Sequence, residues 1–191
     1  MWLHQDDYID GDVGDRESEY IDRSRGAVVG KEQDYGIKGI HHISRLDSFC
    51  LMQKQNISHL NNLKILDIKS NRLPRISGLS NLPNLEELYV SHNALTEISG
   101  LDSNTNLRTL DLSNNQITHL SHLSHLKHLE ELWASSNLLA SFEEVERQLA
   151  DKKELTTVYF EMNPLQLKTP ALYRNKVKLA LPQIMQIDAS E

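Results

Sequence analysis

Between Leu63 and Asn163 the apolar residues follow one pattern that is repeated five times. Each unit carries apolar residues at positions 1, 4 and 6 and an asparagine at position 9, as in the unit that opens at Leu63. A unit of this kind cannot bury its own apolar side, so several units must stack into a solenoid. The openings are evenly spaced except for the longer last interval, and they lie at Leu63, Leu85, Leu107, Leu129 and Leu155.

Positions 4 and 6 of each unit predict a short β-strand, because side chains alternate between the two faces of a strand. Both positions are expected to point into the solenoid, where they meet the same positions of the neighbouring units. The inward pairs are Leu66 and Ile68, Leu88 and Val90, Leu110 and Leu112, Leu132 and Ala134, and Val158 and Phe160.

After each strand, apolar residues recur at every third position, which indicates a 3₁₀ or irregular helical back. The fourth unit is longer than the others, and its Phe142, Val145 and Leu149 have the spacing of an α-helix. The predicted fold class is therefore α/β. It is a horseshoe-shaped solenoid with a short parallel sheet on the concave face and a 3₁₀ or helical convex back.

The asparagines at position 9 are expected to have a structural role. The chain turns inward there, and a short side chain with one donor and one acceptor can satisfy backbone groups of adjacent coils. Removal of one should cost about 1–3 kcal/mol through unpaired buried groups. We therefore do not count these residues as a functional site: Asn71, Asn93, Asn115, Asn137 and Asn163.

Residues 166–191 predict a C-terminal cap that follows the five repeats of residues 63–165. Thr169 is the expected N-cap of a helix, with Pro170 at its first position. Leu181-Pro182 is expected to end that helix. A cap of this kind covers the open end of the last coil. The helix should bury one face made of Tyr173, Val177, Ala180 and Leu181.

The N-terminal side departs from the repeat. Residues 36–62 are interpreted as a degenerate or shortened first repeat that opens at Leu46, too close to Leu63 for a unit of regular length. Residues 1–35 lack an apolar period, and the prediction for them is a disordered acidic tail. An acidic docking segment is the alternative for this tail.

Charge and cysteine content narrow the class of partner. The net charge is −7, and residues 1–35 hold ten acidic and four basic side chains. A bare polyanion is therefore a poor partner, and we predict no nucleic-acid binding. Cys50 is the one cysteine, so no intramolecular disulfide can form, which favours a reducing, intracellular compartment. Neither a signal peptide nor an 18-residue apolar stretch is found, so no membrane association is predicted.

Strand positions 3, 5 and 7 should face the concave side, and position 5 carries large aromatic residues in a row. Aromatic side chains flanked by acids are typical of a hot spot that binds a basic protein surface. The alternative is that these residues are merely tolerated on an exposed sheet. The predicted partner-binding residues are Asp67, Glu87, Tyr89, Asp111, Glu131, Trp133 and Tyr159.

The 22-residue unit is typical of the leucine-rich repeat in its short intracellular form. Positions other than the leucines also match one family. Segments 85–93 (LEELYVSHN), 129–139 (LEELWASSNLL) and 157–166 (TVYFEMNPLQ), with the cap segment 173–188, resemble the leucine-rich-repeat regulatory subunits of type-1 protein phosphatase, the regulatory subunit 7 family. The resemblance extends over about 57–189 and corresponds to the C-terminal half of that family, including its cap.

The resemblance implies a function. In that family the catalytic phosphatase subunit binds the concave face, and its contacts correspond here to Asp111, Glu131, Trp133 and Tyr159. It also implies a location in the nucleus and cytoplasm, and a monomer before the complex forms. The basic-Val-x-aromatic docking motif of many phosphatase partners is not found in the sequence, so binding is expected to come from the folded face.

Four histidines recur at every third residue on the back of the third unit: His119, His122, His125 and His128. A metal ladder is one interpretation. A 3₁₀ spacing would separate them by about 6 Å, however, which is too far for several of them to share one ion. We therefore predict variable surface positions and no metal site.

No sequence signature of an enzyme is found, such as a Gly-rich phosphate loop or a nucleophile elbow. We predict no catalytic residue and no cofactor. The predicted function is a non-catalytic regulatory or chaperone-like subunit that binds the catalytic subunit of type-1 protein phosphatase. The alternatives are a leucine-rich scaffold for another intracellular complex, of the spliceosomal or dynein type, and a truncated chain without function.

Overall fold

The computed structural model describes the backbone of residues 42–44 and the whole of residues 60–189. The predicted acidic tail, residues 1–35, lies outside these ranges, and so does Cys50. Within them, no helix is long and apolar enough to cross a bilayer.

The described strands form one parallel sheet in which spatial order follows chain order. Each strand pairs with the next at equal positions, so that Leu88 lies opposite Leu66 on one side and Leu110 on the other. This confirms the predicted solenoid with a parallel sheet. The strands are β1 His42–Ser44, β2 Ile65–Asp67, β3 Glu87–Tyr89, β4 Thr109–Asp111, β5 Glu131–Trp133, β6 Thr157–Tyr159 and β7 Gln186–Ile187.

Strand β1 corrects the sequence interpretation of the first repeat. Its Ile43 pairs with Leu66, so position 4 of this coil precedes that of the next coil by about one full unit. An opening at Leu46 would have placed position 4 at Phe49, too close to Leu66 for a complete coil. That interpretation is wrong because every coil needs a strand, a turn and a back, and these together occupy a full unit of chain.

The core consists of the inward strand residues and the apolar residues of the back. All ten predicted inward side chains are at most 2% exposed, which confirms the strand alternation. Burial of one such aliphatic side chain contributes about 1.5–3 kcal/mol. The energy of the fold therefore comes from neighbouring coils that cover each other's apolar side.

The position-9 asparagines form hydrogen bonds to backbone groups of adjacent coils, as predicted, and this series of bonds is called the asparagine ladder. The Asn93 side-chain amide donates to the Val90 carbonyl in its own coil (2.9 Å) and to the Ile68 carbonyl in the preceding coil (3.1 Å). Its oxygen accepts the Leu73 amide at 3.0 Å. Asn115, Asn137 and Asn163 repeat these contacts.

At two positions of the repeat the backbone has a left-handed conformation in successive coils, and the chain turns at both. Each such set of equivalent residues is called a column here. The first is position 8, just before the asparagines, where φ lies between 53° and 59° at Ser70, His92, Asn114, Ser136 and Met162. The second lies on the back, where Gly78 and Gly100 have φ of 82° and 74°, and His122 takes the same place in the next coil with φ of 57°. The second position bears on stability because glycine adopts this conformation without strain, whereas a residue with a Cβ, such as histidine, does so less readily.

The back of the regular units is irregular, which is one of the two alternatives that the sequence left open. No 3₁₀ helix forms in the described residues; instead single turns occur, such as the Leu82 amide donating to the Leu79 carbonyl at 3.0 Å. Other amides of the back are used between coils, as when the Ala94 amide donates to the Leu73 carbonyl. The three-residue apolar period therefore reflects stacked turns.

The fourth unit does form the predicted α-helix, α1, over Phe142–Leu149. The Ser141 hydroxyl caps it by accepting the Glu144 amide at 3.1 Å. Val145 and Leu149 are buried. This confirms the helical spacing found in the sequence.

The C-terminal end contains a short helix α2 (Pro164–Leu167), which the sequence did not predict and which crosses the expected boundary between repeat and cap, and helix α3 (Pro170–Ala180). Helix α3 ends before Leu181-Pro182 and buries the expected face. Thr169 occupies the N-cap position but does not cap the helix with its side chain. Its hydroxyl donates to the Leu165 carbonyl instead, at 3.4 Å, because α2 ends immediately before it.

Candidate protein-binding face

The sheet face consists of the side chains at strand positions 3, 5 and 7, on the side of the sheet opposite the core. Strands β3 and β5 both read Glu-Leu-aromatic, whereas β4 between them reads Thr-Leu-Asp. The leucines of these triplets are buried in the core. The flanking residues therefore meet on the open side of the sheet, and the two acidic-aromatic strands are separated by one polar strand.

Three aromatic side chains form an aromatic row on this face: Tyr89, Trp133 and Tyr159. The ring centroids of Tyr89 and Trp133 are 6.0 Å apart, and those of Trp133 and Tyr159 are 5.7 Å apart, both with edge-to-face geometry. Contacts of this kind contribute about 0.5–1.5 kcal/mol each beyond area burial. Trp133 lies at the centre of the row and contacts both neighbours.

The contact between Tyr89 and Trp133 crosses strand β4. Their strands are two spacings apart, about 10 Å, so the two rings must lean towards each other above Asp111. As a consequence Asp111 is only 4% exposed. Its carboxylate accepts the Ser113 amide at 3.0 Å.

The position of Asp111 corrects the expectation that the whole stripe is solvent-exposed. Tyr89, Trp133 and Tyr159 are half-buried, because each ring packs on its neighbour. Asp67 is half-buried as well and pairs with Lys69. Asp111 lies beneath the rings and presents little surface to a partner. A role in binding would act through the negative potential that this carboxylate adds below the rings.

Two glutamates at position 3 hold the rings in place. Glu87 accepts the Tyr89 hydroxyl at 2.7 Å, and Glu131 accepts the Trp133 indole N–H at 2.9 Å. Each pair is two residues apart on one strand, so both side chains point to the same side. The sheet face therefore presents fixed rings, each with a carboxylate at its polar edge.

The pKa of the Tyr89 hydroxyl is raised well above its usual range. The largest cause is burial, followed by the hydrogen bond to Glu87 and then by the negative charges of Glu87, Glu131 and Asp111. The hydroxyl therefore remains protonated and continues to donate to Glu87 at neutral pH.

At the cap end of the row, the Gln186 amide donates to the Tyr159 hydroxyl at 2.7 Å. Gln186 was not among the residues predicted for this face. Gln186 pairs with Thr157, so it occupies position 3 of a seventh strand, the place that Glu87 and Glu131 have in theirs. An alignment of Gln186-Ile187-Asp188 with Thr157-Val158-Tyr159 would have found it.

At the other end of the row, a lysine of the chain contacts an aromatic ring. The Lys69 ammonium lies 4.6 Å from the Tyr89 ring centroid and 3.4 Å from an Asp67 carboxylate oxygen. A cation placed between a ring and a carboxylate is a favourable arrangement. The sheet face is therefore chemically suited to lysine or arginine side chains.

The histidines of the back do not converge. His119 lies 2.9 Å from Glu144, His128 lies 3.3 Å from Glu154, and His125 lies 2.9 Å from the Leu101 carbonyl. These three rings thus have separate partners on neighbouring coils, and His122 lies 3.1 Å from the Ser121 hydroxyl of its own coil. Among the described residues no group of three or more metal-ligand side chains is found.

The chain is similar to a family of repeats and to named regulatory proteins. A family model described as "Leucine Rich repeats (2 copies)" matches residues 55–103 and 105–147. Among curated proteins, the protein phosphatase 1 regulatory subunit SDS22 of Schizosaccharomyces pombe is 63% identical over 59 residues, which is 31% of this chain and 18% of that protein. Human protein phosphatase 1 regulatory subunit 7 is 51% identical over 53 residues, which is 28% of this chain and 14% of the human protein.

The chain thus matches less than a fifth of the length of these relatives. The resemblance found in the sequence is confirmed over the matched stretch.

Solved structures also resemble the fold. An internalin (inlF) from Listeria monocytogenes superimposes with a TM-score of 0.57 at 25% identity and covers 71% of this chain and 37% of its own. A chain of the Drosophila melanogaster SNF/U2A′ complex gives a TM-score of 0.55 at 24% identity and covers 63% of this chain and 69% of its own. These likenesses show a leucine-rich-repeat solenoid.

Proposed function

We propose, from the premise that the chain is a leucine-rich-repeat solenoid, that it is a non-catalytic regulatory or chaperone-like subunit of type-1 protein phosphatase. The catalytic subunit would bind to the sheet face, the predicted concave surface. The observation that carries the proposal is the aromatic row, whose polar edges are held by Glu87 and Glu131. Support comes from the similarity to proteins that are named phosphatase regulatory subunits.

The aromatic row has the properties of an interface hot spot. Trp133 is held by two ring contacts and one hydrogen bond, so little side-chain freedom remains to be lost on binding. Rigid aromatic residues near the centre of an interface carry much of its binding energy. The row therefore supplies apolar area to the proposed complex.

The charges around the row determine which partner surface fits. Five carboxylates lie at sheet-face positions, against one lysine on the same positions: Asp67, Glu87, Asp111, Glu131, Glu161 and Lys69. This arrangement favours a basic partner surface. The charges would increase the association rate more than the affinity, because exposed charges steer the encounter and are screened by salt.

The direct test is binding of purified phosphatase catalytic subunit to the full chain and to Trp133→Ala, measured by calorimetry or by pull-down. Loss of a central aromatic anchor typically costs at least about 2 kcal/mol, which raises the Kd roughly 30-fold. A suitable control is Met185→Ala, since Met185 is 81% exposed and outside the row. Thermal melting of each variant establishes that it is folded.

The results separate the parts of the proposal. Weakened binding of Trp133→Ala with normal binding of Met185→Ala would support the sheet face as the site. Equal binding of both folded variants would remove Trp133 from the site. Absence of phosphatase binding by the unaltered chain would overturn the proposed function itself.

A second arm tests the charges through Glu131→Gln. The amide oxygen of glutamine can still accept the Trp133 indole N–H, so this change removes the charge and keeps the ring in place. We expect a slower association rate at low salt and a shallower dependence on salt. An unchanged salt dependence would show that Glu131 does not steer the partner.

A further inference from the structure

The outer face of the capping helix α3 exposes an apolar stripe. Leu172 and Leu179 are 54% and 80% exposed, and their spacing of seven residues places them on one side of the helix, two turns apart. The opposite side of the helix, with Tyr173 and Val177, is buried. The stripe therefore faces away from the last coil, and none of the described residues covers it.

The segment that carries the stripe is positively charged. Residues 164–187 contain no Asp or Glu and hold four basic residues. Lys176 turns towards α1, where its ammonium lies 5.2 Å from the Phe142 ring centroid. The other three, Lys168, Arg174 and Lys178, are exposed.

Two of these basic side chains are held in place by the cap itself. The Arg174 guanidinium donates to the Ile187 carbonyl at 2.8 Å, and the Lys178 ammonium donates to the Ile184 carbonyl. Neither carbonyl neutralises a charge, so both groups keep their charge and have further donors. The cap thus presents fixed cations beside an apolar stripe, whereas the sheet face carries mainly carboxylates.

We propose that the N-terminal segment of the same chain, residues 1–35, docks on this stripe. The segment holds ten acidic and four basic residues, in contrast to the cap. It also contains two copies of Tyr-Ile-Asp, at 8–10 and 20–22, each preceded by acidic residues. Tyrosine and isoleucine fit Leu172 and Leu179, and the carboxylates fit the cations of the cap.

The length of the chain permits this contact. Six strand spacings separate β1 from β7, which is about 29 Å. Tyr20 precedes His42, at the start of β1, by roughly twenty residues, and an extended chain of that length spans about 70 Å. Both Tyr-Ile-Asp copies can therefore reach the cap of their own chain. The sheet face is a poorer site for this segment because its carboxylates would repel it.

Paramagnetic relaxation in the full chain tests the proposal. Cys50→Ser removes the one native thiol, and Ser18→Cys places a nitroxide label next to the second Tyr-Ile-Asp copy. We expect the methyl signals of Leu172 and Leu179 to lose more than half of their intensity. Those of Leu138, which is 50% exposed but belongs to an earlier coil, should keep theirs. Salt at about 1 M should restore the signals, since it shortens the screening length to about 3 Å.

Substitutions provide the matched control. The double variant Leu172→Asp/Leu179→Asp should abolish the broadening of the other cap signals, whereas Leu138→Asp should leave it unchanged. All three leucines are exposed, so none of these changes disturbs the core. Contact between two copies is detected in a mixture of two samples. One chain carries the spin label and no isotope, and the other carries the isotope and no spin label.

Broadening that is confined to the cap, and absent from the mixture, supports docking within one chain. Three results would overturn it. These are no broadening at the cap, equal broadening at Leu138, or broadening that appears equally in the mixture.

Discussion

Lys152 is a buried lysine at a position of the repeat where other coils have leucine, and its replacement tests how much this polar group lowers the stability of the fold. It occupies the position on the back that Leu82 and Leu126 fill in other coils, and it is 0% exposed. Among residues 60–189 its ammonium has no hydrogen-bond partner, and the closest carboxylate oxygen, on Asp151, is 3.7 Å away. Burial lowers the pKa of this ammonium below its ordinary value of 10.5, and the negative charge of Asp151 opposes that shift only in part.

We expect Lys152→Met to stabilise the protein. A buried polar group without a partner costs about 1–3 kcal/mol, and methionine fills a similar volume without that cost. A gain of about 2 kcal/mol would raise the Tm by roughly 4–8 °C for a chain of this size. The control is Lys153→Met at the exposed neighbouring position, which should change the Tm little.

The pH dependence gives an independent readout. A lysine with a lowered pKa in the folded state binds fewer protons there than in the unfolded state, so the stability of the wild type rises with pH. The rise begins at the lowered pKa and ends near 10.5, the ordinary value. Lys152→Met should lack this increment, whereas Lys153→Met should keep it.

Urea denaturation at several pH values, followed by far-UV circular dichroism, measures both effects. If Lys152→Met were no more stable than Lys153→Met at pH 7, the buried ammonium would not carry the cost assigned to it. An unchanged rise in stability with pH in Lys152→Met would refute the pKa assignment.

The remaining predictions concern the turns and the asparagine ladder. Gly100→Ala should lower the free energy of unfolding by about 2–4 kcal/mol, because a left-handed alanine is strained and its Cβ would lie 2.4 Å from the Ile76 carbonyl oxygen. His122→Gly, at the equivalent turn, should raise that free energy by about 1 kcal/mol by removing strain; an opposite sign in calorimetry would contradict the role of this column. Asn137→Ala should cost about 1–3 kcal/mol through unpaired backbone groups, and hydrogen exchange should rise at Ile117, whose amide donates to Asn137.

Much of the fold could be predicted because the repeat is regular. Positions 4 and 6, the asparagines and the helix at Phe142 follow from periodicity, and periodicity determines which side chains face the core. The register of β1 could not be predicted, because the residues from Leu46 onwards resemble the start of a repeat. Only the length of the coil shows that the repeat starts earlier. Position 8 was missed since no single residue type marks it.

The candidate site was predictable as a face and less so in its details. Alternation places Glu131, Trp133 and Tyr159 on one side of the sheet, as observed. The burial of Asp111 was not predictable, because it depends on two rings that lean across a strand. Gln186 was missed because the seventh strand has only two residues and lacks the leucines of the repeat.

The ring contact across β4 changes how the array resists local opening. Backbone pairing connects each coil only with its immediate neighbours, whereas the Tyr89–Trp133 contact connects coils that are two steps apart. The coils that contain strands β3 to β6 should therefore open together in native-state hydrogen exchange. Elsewhere along the array, two neighbouring coils can separate by breaking the single interface between them. The aromatic row thus acts as a cross-brace, and a protein partner would meet a surface that is already rigid before it binds.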